Sequence, residues 1–240
     1  MRADSISQVA QLVGEPGRLR MLIALLNGAG HSASELAMSA GVSPQTASSH
    51  LSKLLAGALV SCEQAGRQRV FRLKSRDVAS AVEALGALAH GPEKTSIPEI
   101  RFARTCYDHL AGVLAIALRS ELLRSGVLRQ GENGFDVTGT GKKSFRELKI
   151  DVDSLRRMRR GFGNRCLDWT ERHHHIGGAL GAALLTTLIE SGWIVRVRGT
   201  RAVRVTHPGE RRLEELFGIR CAALRAEQSQ SRNIRASGRL

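Results

Sequence analysis

Two short stretches gather side chains that ligate metals or act as nucleophiles. One reads Cys106-Tyr-Asp108-His109. The other runs from Cys166 through Asp168 and Glu171 to His173-His174-His175. Thiolate and imidazole suit Zn²⁺, Cd²⁺ and Pb²⁺, with Cd²⁺ and Pb²⁺ favouring the sulfur. Read as helix, Cys106 and His109 lie three apart and share a face, and Cys166 and His173, seven apart, do the same. The expectation is a mixed metal site drawn from Cys106, Asp108, His109, Cys166, His173 and His175, formed where two such helices meet across a pseudo-twofold. Thiol oxidation, small-molecule binding and a purely structural role are the competing readings. A nucleophile–base pair is disfavoured, because neighbours on one helix do not converge on a reacting atom. The sequence therefore argues against an enzyme.

Both clusters open copies of an internal repeat. At an offset of 66, His109 meets His175, Gly112 meets Gly178, and Leu114, Leu118 and Leu122 meet Leu180, Leu184 and Leu188. At an offset of 68, Val137-Thr138 meets Val205-Thr206 and Gly141 meets Gly209. Each copy reads as a long apolar helix, a Gly stop, a short hairpin and a closing helix. This predicts two winged-helix-like units packed together, with hairpin tips near Gly131–Gly134 and Gly199–Arg201 facing water.

The totals limit the function classes. The chain has 240 residues, 42% of them hydrophobic, enough for a proper core. Its net charge of +14 suggests a polyanionic partner, nucleic acid first. Aromatic residues make up 4%, too few for a single-strand stacking platform. The four cysteines show no paired CxxC spacing, and the N-terminus has no signal-type apolar stretch, so reduced thiols in a cytoplasm are expected. The longest apolar run, 176–189, is too short for a bilayer and reads as a buried helix, so no membrane partner is expected. Residues 1–90 carry 9 Lys/Arg and 6 Asp/Glu against 27 and 16 beyond, so the excess charge sits in the second half. Its basic runs read as solvated surface or as non-specific DNA affinity.

The first ninety residues read as short helices ending in a hairpin. Helices are expected over 5–13, 18–26 and 34–39, the third capped by Ser32 with Glu35 completing a capping box. Gly41 turns the chain, Ser43 caps the next helix and Pro44 takes its first position. That helix runs to Leu55 with Leu51 and Leu54 on its inner face. Gln45, Thr46, Ser48, Ser49 and His50 are placed on its outer face, where hydroxyl, amide and imidazole groups suit base edges better than solvent. Residues 59–73 alternate with period two around Gly66 and predict a hairpin tipped by Arg67, Gln68 and Arg69. A helix over 77–88 follows, then the proline-containing HGPEKTSIP.

Helix, short helix, Gly turn, polar helix and basic hairpin together resemble the winged helix-turn-helix of ArsR/SmtB repressors. The likeness covers roughly residues 5 to 90 and is strongest over Glu35–Leu73, where Ser43, Thr46, Ser48, His50, Leu51 and Leu54 carry the family's pattern. The longer arrangement resembles a subset with an extended C-terminal half containing CYDH and CLDW elements. The resemblance implies a homodimer that places this helix in the major groove of a palindromic operator. Ser43, Gln45, Thr46, Ser48, Ser49 and His50 would then face bases, while Lys53, Arg67, Gln68 and Arg69 lie along the backbone. The family's cysteine pair is missing from ELAMSAG, and Asp77, Glu83 and His90 are wrongly spaced for its other metal site. Any signal must enter through the second half.

The sequence thus predicts a mainly α fold with short β-hairpin wings: a winged helix-turn-helix over 1–89, a linker over 90–98, an α+β domain of two winged-helix-like repeats over 99–220, and a disordered basic tail over 221–240. The function expected is a sequence-specific regulator, a repressor released from its operator by a metal ion, Cd²⁺, Zn²⁺ or Pb²⁺. The alternatives are a metal-independent repressor that answers a small molecule or thiol oxidation, and a non-specific nucleoid-type binder.

Overall fold

A computed structural model describes residues 3–66, 68–89, 98–132, 134–198 and 200–237. The chain forms two compact units, Met1–Gly86 and Ala87–Leu240. The sequence positions 90–97 and Arg67 lie outside the described residues.

The first unit begins with α1 (Ala3–Val13) and α2 (Pro16–Leu25). Glu15 caps α2 by accepting from the amides of Gly17 and Arg18, with Pro16 in the first turn. β1 (His31–Ser32) leads into α3 (Ala33–Ala40), where Ser32 and Glu35 form the expected capping box. Gly41 ends α3 at φ +66°, a left-handed conformation that costs glycine least. α4 (Pro44–Ala56) starts from the Ser43 cap. β2 (Val60–Ala65) and β3 (Gln68–Leu73) form the wing, and β1 pairs with β3 on its other edge. α5 (Arg76–Ala89) follows. Met21, Leu22, Leu25, Leu36, Leu51, Leu54 and Phe71 form the buried centre. They come from α2, α3, α4 and the wing, so their burial fixes how the helix pair presents α4.

The second unit repeats one pattern twice. After α6 (Pro98–Phe102), the first copy runs β4 (Arg104–Cys106), β5 (His109–Ala111), α7 (Val113–Arg124), β6 (Leu128–Gly131), β7 (Gly134–Val137) and α8 (Gly139–Glu147). α9 (Val152–Arg156) connects it to the second copy: β8 (Arg165–Leu167), β9 (His174–Ile176), α10 (Gly178–Glu190), β10 (Ile194–Arg196), β11 (Val203–Val205) and α11 (His207–Phe217). Leu114, Leu118 and Leu122 of α7 share one core with Leu180, Leu184 and Leu188 of α10. Matching caps close both wings. The Thr138 hydroxyl accepts from the Gly141 amide and donates to the Gly126 carbonyl, as Thr206 does with Gly209 and Gly192.

Three expectations are corrected. The Cys/His clusters do not open the apolar helices; each sits on a two-stranded hairpin before its helix, with Cys106 opposite His109 and Cys166 opposite His175. Tyr107 turns the first hairpin at φ +59°, which no helix accommodates. The first wing's tip is not wholly in water, because Gly134 is buried. Within the expected disordered tail over 221–240, the described residues are helical, α12 spanning Cys221–Ser237. Cys221 is buried in the core with Leu224 against it, and the Arg225 guanidinium lies 3.9 Å from the Phe102 ring centre. These contacts hold the start of the segment on the unit.

Isolated backbone bridges link the two repeats. Arg104, opening the first hairpin, bridges Ala202 in the second wing; Asn164, beside the second hairpin, bridges Gly134 in the first wing. The amide of Val203 donates to the Ala103 carbonyl at 3.0 Å, and the amide of Phe135 to the Gly163 carbonyl at 2.6 Å. Each hairpin pairs within its own repeat, and these bridges join the two repeats. The two Cys/His hairpins lie against each other.

Candidate functional sites: a recognition helix and a paired Cys–His cluster

α4 exposes Ser43, Gln45, Thr46, Ser48, Ser49 and Lys53 and buries Ala47, Leu51 and Leu54. The Ser43 hydroxyl is engaged as the cap, accepting from the Thr46 amide and pairing with the Thr46 hydroxyl at 2.9 Å. Gln45, Ser48 and Ser49 therefore form the freest polar row for an external partner. His50 is placed differently from expectation. It is half-buried, with Nε2 3.3 Å from Glu15 Oε2, so it joins α4 to the cap of α2 instead of facing outward. Position 50 lies one residue from buried Leu51 and three from buried Ala47, on the margin of the inner face. The amides of Arg18 and Gly17, with His50 beside them, hold the Glu15 carboxyl below its usual range. On the wing, Gln68 and Arg69 are exposed, and Arg69 lies over the Phe71 ring.

In the second unit, four of the six expected ligands converge. One donor atom each from Cys106, His109, Cys166 and His175 lies within 4.8 Å of the others. The sulfurs of Cys106 and Cys166 stand 3.8 Å apart, and the Nε2 atoms of His109 and His175 stand 3.1 Å apart. Each repeat contributes one cysteine and one histidine. Cys106, His109 and His175 are buried and Cys166 is partly exposed. His173 is exposed in the loop before β9 and does not join them. Asp108 sits behind the donors: its Oδ1 lies 3.1 Å from His109 Nδ1, and its Oδ2 pairs with Arg160 at 2.7 Å.

The structure adds Asp168 and Arg104, which the sequence did not single out for a role. Asp168 Oδ1 accepts from Arg104 at 2.8 Å, from the Thr170 hydroxyl and from the amides of Thr170 and Glu171. Its Oδ2 accepts from the Gly112 amide at 2.7 Å and lies 3.5 Å from His175 Nδ1. Burial raises an isolated carboxyl, but the neighbouring His175 and the Arg104 charge outweigh it and hold Asp168 well below its usual range. Burial likewise opposes the His175 cation, yet Asp168 and Cys106 raise His175 to about 9. The sequence signal for Asp168 was its place inside the second cluster. Arg104 carried none, because its partner is 64 residues away.

Two glycines let the hairpins close. Gly112 (φ +91°) and Gly178 (φ +79°) occupy equivalent places, and a Cβ at either would stand 2.6 Å or less from a backbone carbonyl oxygen, that of Arg101 or Phe162. Gly181 plays a separate part: a Cβ there would meet the Ile176 carbonyl oxygen at 2.2 Å, and its absence lets α10 approach the backbone of β9 and the Cβ of His109.

The sulfur–sulfur and nitrogen–nitrogen separations are close to those of tetrahedral coordination. Bonds of about 2.3 Å to sulfur and about 2.0–2.1 Å to nitrogen, at the tetrahedral angle, separate two sulfurs by about 3.8 Å and two nitrogens by about 3.3 Å. Both imidazoles turn Nε2 inward and Nδ1 toward a carboxylate, the orientation that fixes tautomer and ring in metal-ligating histidines. Four protein donors leave no open position, so the arrangement suits binding rather than catalysis.

No family model matches the chain. It is 41% identical over 222 residues to the uncharacterized HTH-type transcriptional regulator YdfF of Bacillus subtilis (strain 168), an alignment covering 90% of this chain and 98% of that one. Among solved structures, it resembles the transcriptional repressor BigR from Xylella fastidiosa at 26% identity and a TM-score of 0.35, over 38% of this chain and 91% of that one. It also resembles the homodimeric winged helix-turn-helix domain of Mb0332 from Mycobacterium bovis, described as a possible ArsR-family regulator, at 27% identity and a TM-score of 0.33, over 36% of this chain and 79% of that one. The relative that spans nearly the whole chain is a regulator, in keeping with a DNA-binding function and not with an enzyme. With that identity over that length, the chain belongs to the HTH-type transcriptional regulators.

Proposed function

We propose that the protein is a dimeric repressor whose operator affinity is set by a metal ion held between the two repeats of its second unit. The observation that carries this reading is the set of Cys106, His109, Cys166 and His175, with both histidines backed by a carboxylate. Zn²⁺ and Cd²⁺ fit the spacing and the mixed donors; Pb²⁺ prefers sulfur-only sets and fits less well. A bound ion would tie one repeat to the other. Arg104, Asp168 and Asp108 orient the ligands, and Gly112, Gly178 and Gly181 allow the close approach.

Exposed Ile6 and Val9 on α1, and Leu85 and Leu88 on α5, support a homodimer, because apolar side chains on these helices gain by covering one another. A twofold dimer reads a palindrome with one α4 per half-site. Repression then ends by a population shift, in which the metal-bound unit favours a dimer that no longer spans both half-sites. A hundredfold change in operator affinity requires about 2.7 kcal/mol of coupling. Cytoplasmic action accords with the described residues, among which no helix is long and apolar enough to cross a membrane.

Equilibrium dialysis of the reduced full chain against Zn²⁺ and Cd²⁺ tests the site. One ion per chain is expected, with the stoichiometry lost in Cys106→Ser and kept in Cys62→Ser. Retained binding in Cys106→Ser would remove the reading. The 3.8 Å sulfur separation favours a second reading, in which oxidation joins Cys106 to Cys166 and supplies the signal. Peptide mapping after peroxide treatment of the metal-free chain separates the two.

A further inference from the structure

The two repeats share a fold but not a surface charge. At the offset of 68, the second wing has Arg196, Arg198, Arg201 and Arg204 where the first has Leu128, Gln130, Asn133 and Asp136. The first wing's carboxylate Asp136 is paired with its own Arg129 and with Arg156 of α9. Arg129 donates to Asp136 Oδ2 at 2.6 Å, and Arg156 donates to the other oxygen of the same carboxylate. In the second wing Arg204 stands at Asp136's place, exposed between buried Val203 and Val205, and so cannot form the equivalent pair. Arg196 and Arg198 are exposed as well. From Ser191 to Gly209 the sequence holds no Asp or Glu.

The register spreads this charge around the hairpin. Arg204 lies opposite Val195, and Arg196 lies opposite Val203. Directly opposed residues share a face and successive ones alternate, so Arg204 and Arg196 project to opposite sides, with Arg198 and Arg201 nearer the tip. The tip sequence Arg198-Gly-Thr-Arg201 is close in composition to Gly66-Arg-Gln-Arg69 of the first unit's wing. A wing that needed only solubility is served by mixed charge, as the first repeat shows. Exposed Arg198 and Arg204 place like charge on one hairpin, and a polyanion relieves it.

We propose that the second wing is a nucleic-acid contact in its own right, in which Arg198 and Arg204 neutralise backbone phosphates of duplex DNA. It is distinct from α4, and it rests on the regulator reading only in taking DNA as the polyanion. The contact adds affinity without base preference, because phosphate pairing carries no sequence information.

The test uses the full chain and a labelled duplex from the region upstream of its own gene, with affinity measured by anisotropy at several salt concentrations. The variant Arg198→Ala/Arg204→Ala is compared with Arg124→Ala/Arg129→Ala, which removes equal charge from the first repeat. Each phosphate contact contributes about 0.9 to the slope of log affinity against log salt, so the wing pair is expected to lower it by about 2 and the control pair by less than about 0.5. Half-site preference stays as in the wild type for both. Equal slopes in the two variants would overturn the proposal while leaving α4 as the reader. Failure of the wild-type chain to bind any duplex would overturn the proposal together with the regulator reading, and so is distinguishable.

Discussion

His109 Nε2 and His175 Nε2 face each other at 3.1 Å from equivalent positions in the two repeats, each ring backed through Nδ1 by an aspartate from its own hairpin. Held as a cation by Asp168 and Cys106, His175 donates to His109 in the metal-free chain. A metal ion would displace that proton and take both nitrogens, with the neighbouring sulfurs, as ligands. The carboxylates then act through the rings. Asp108→Asn is expected to weaken Zn²⁺ binding by about 10- to 100-fold, the usual cost of losing such a partner, while leaving the far-ultraviolet circular dichroism unchanged. Competition with a chromophoric chelator measures it. Unchanged affinity would remove Asp108 from the site.

Asp168 and Arg104 carry a different liability. Both are fully buried, and their pair joins the hairpins of the two repeats. Arg104→Ala leaves a buried carboxylate without its cation and is expected to destabilise the second unit by about 3–5 kcal/mol. Urea denaturation of the metal-free chain, monitored by tryptophan fluorescence, reads this directly because Trp169 lies against Arg104.

On α4, Gln45→Ala and His50→Ala should separate recognition from stability. Gln45 is exposed and unencumbered by the cap, so its loss should reduce discrimination at one base position by about 1–3 kcal/mol with little change in melting temperature. His50 is engaged with Glu15, so its loss should lower the melting temperature while operator preference persists. Base-substitution scanning of a half-site together with thermal melts distinguishes the pair.

The first unit was legible because its signals are local. Ser32 with Glu35, Gly41, and Ser43 with Pro44 each act within a turn, and the helices begin and end where those residues require. The repeat was legible as well, through its leucines and glycines. The positions of the Cys/His clusters were not. Tyr107 turns a hairpin without glycine or asparagine, so CYDHLAG reads as apolar helix until its pairing with the rest of the unit is known. The second copy spaces its cysteine and histidine six residues further apart than the first, 166 to 175 against 106 to 109, so no single alignment offset matches both ligands. Helical spacing brings His173 into the expected set beside His175, whereas the hairpin register pairs Cys166 with His175 and leaves His173 out. The backbone bridges between the repeats are non-local and left no sequence signal.

The wing contrast makes a pH prediction. Burial tends to raise Asp136, but Arg156 and Arg129 hold it below its usual range. A carboxyl with a depressed folded value contributes stability above its unfolded value near pH 4 and loses it as pH falls through the folded value. Arg156→Ala should shift the Asp136 titration upward, measured by carboxyl-carbon NMR. An unmoved midpoint would mean that the pair does not persist in solution.

The measurement that bears most directly on the central claim is operator binding under metal titration. Anisotropy would follow the reduced full chain on a duplex from its own upstream region, at fixed salt, with Zn²⁺ or Cd²⁺ added and a scrambled duplex as control. Specific affinity is expected to fall about 100-fold, or about 2.7 kcal/mol, near one equivalent per chain, and Cys106→Ser should bind the duplex but ignore the metal. Specific binding that stays constant through several equivalents would contradict the account.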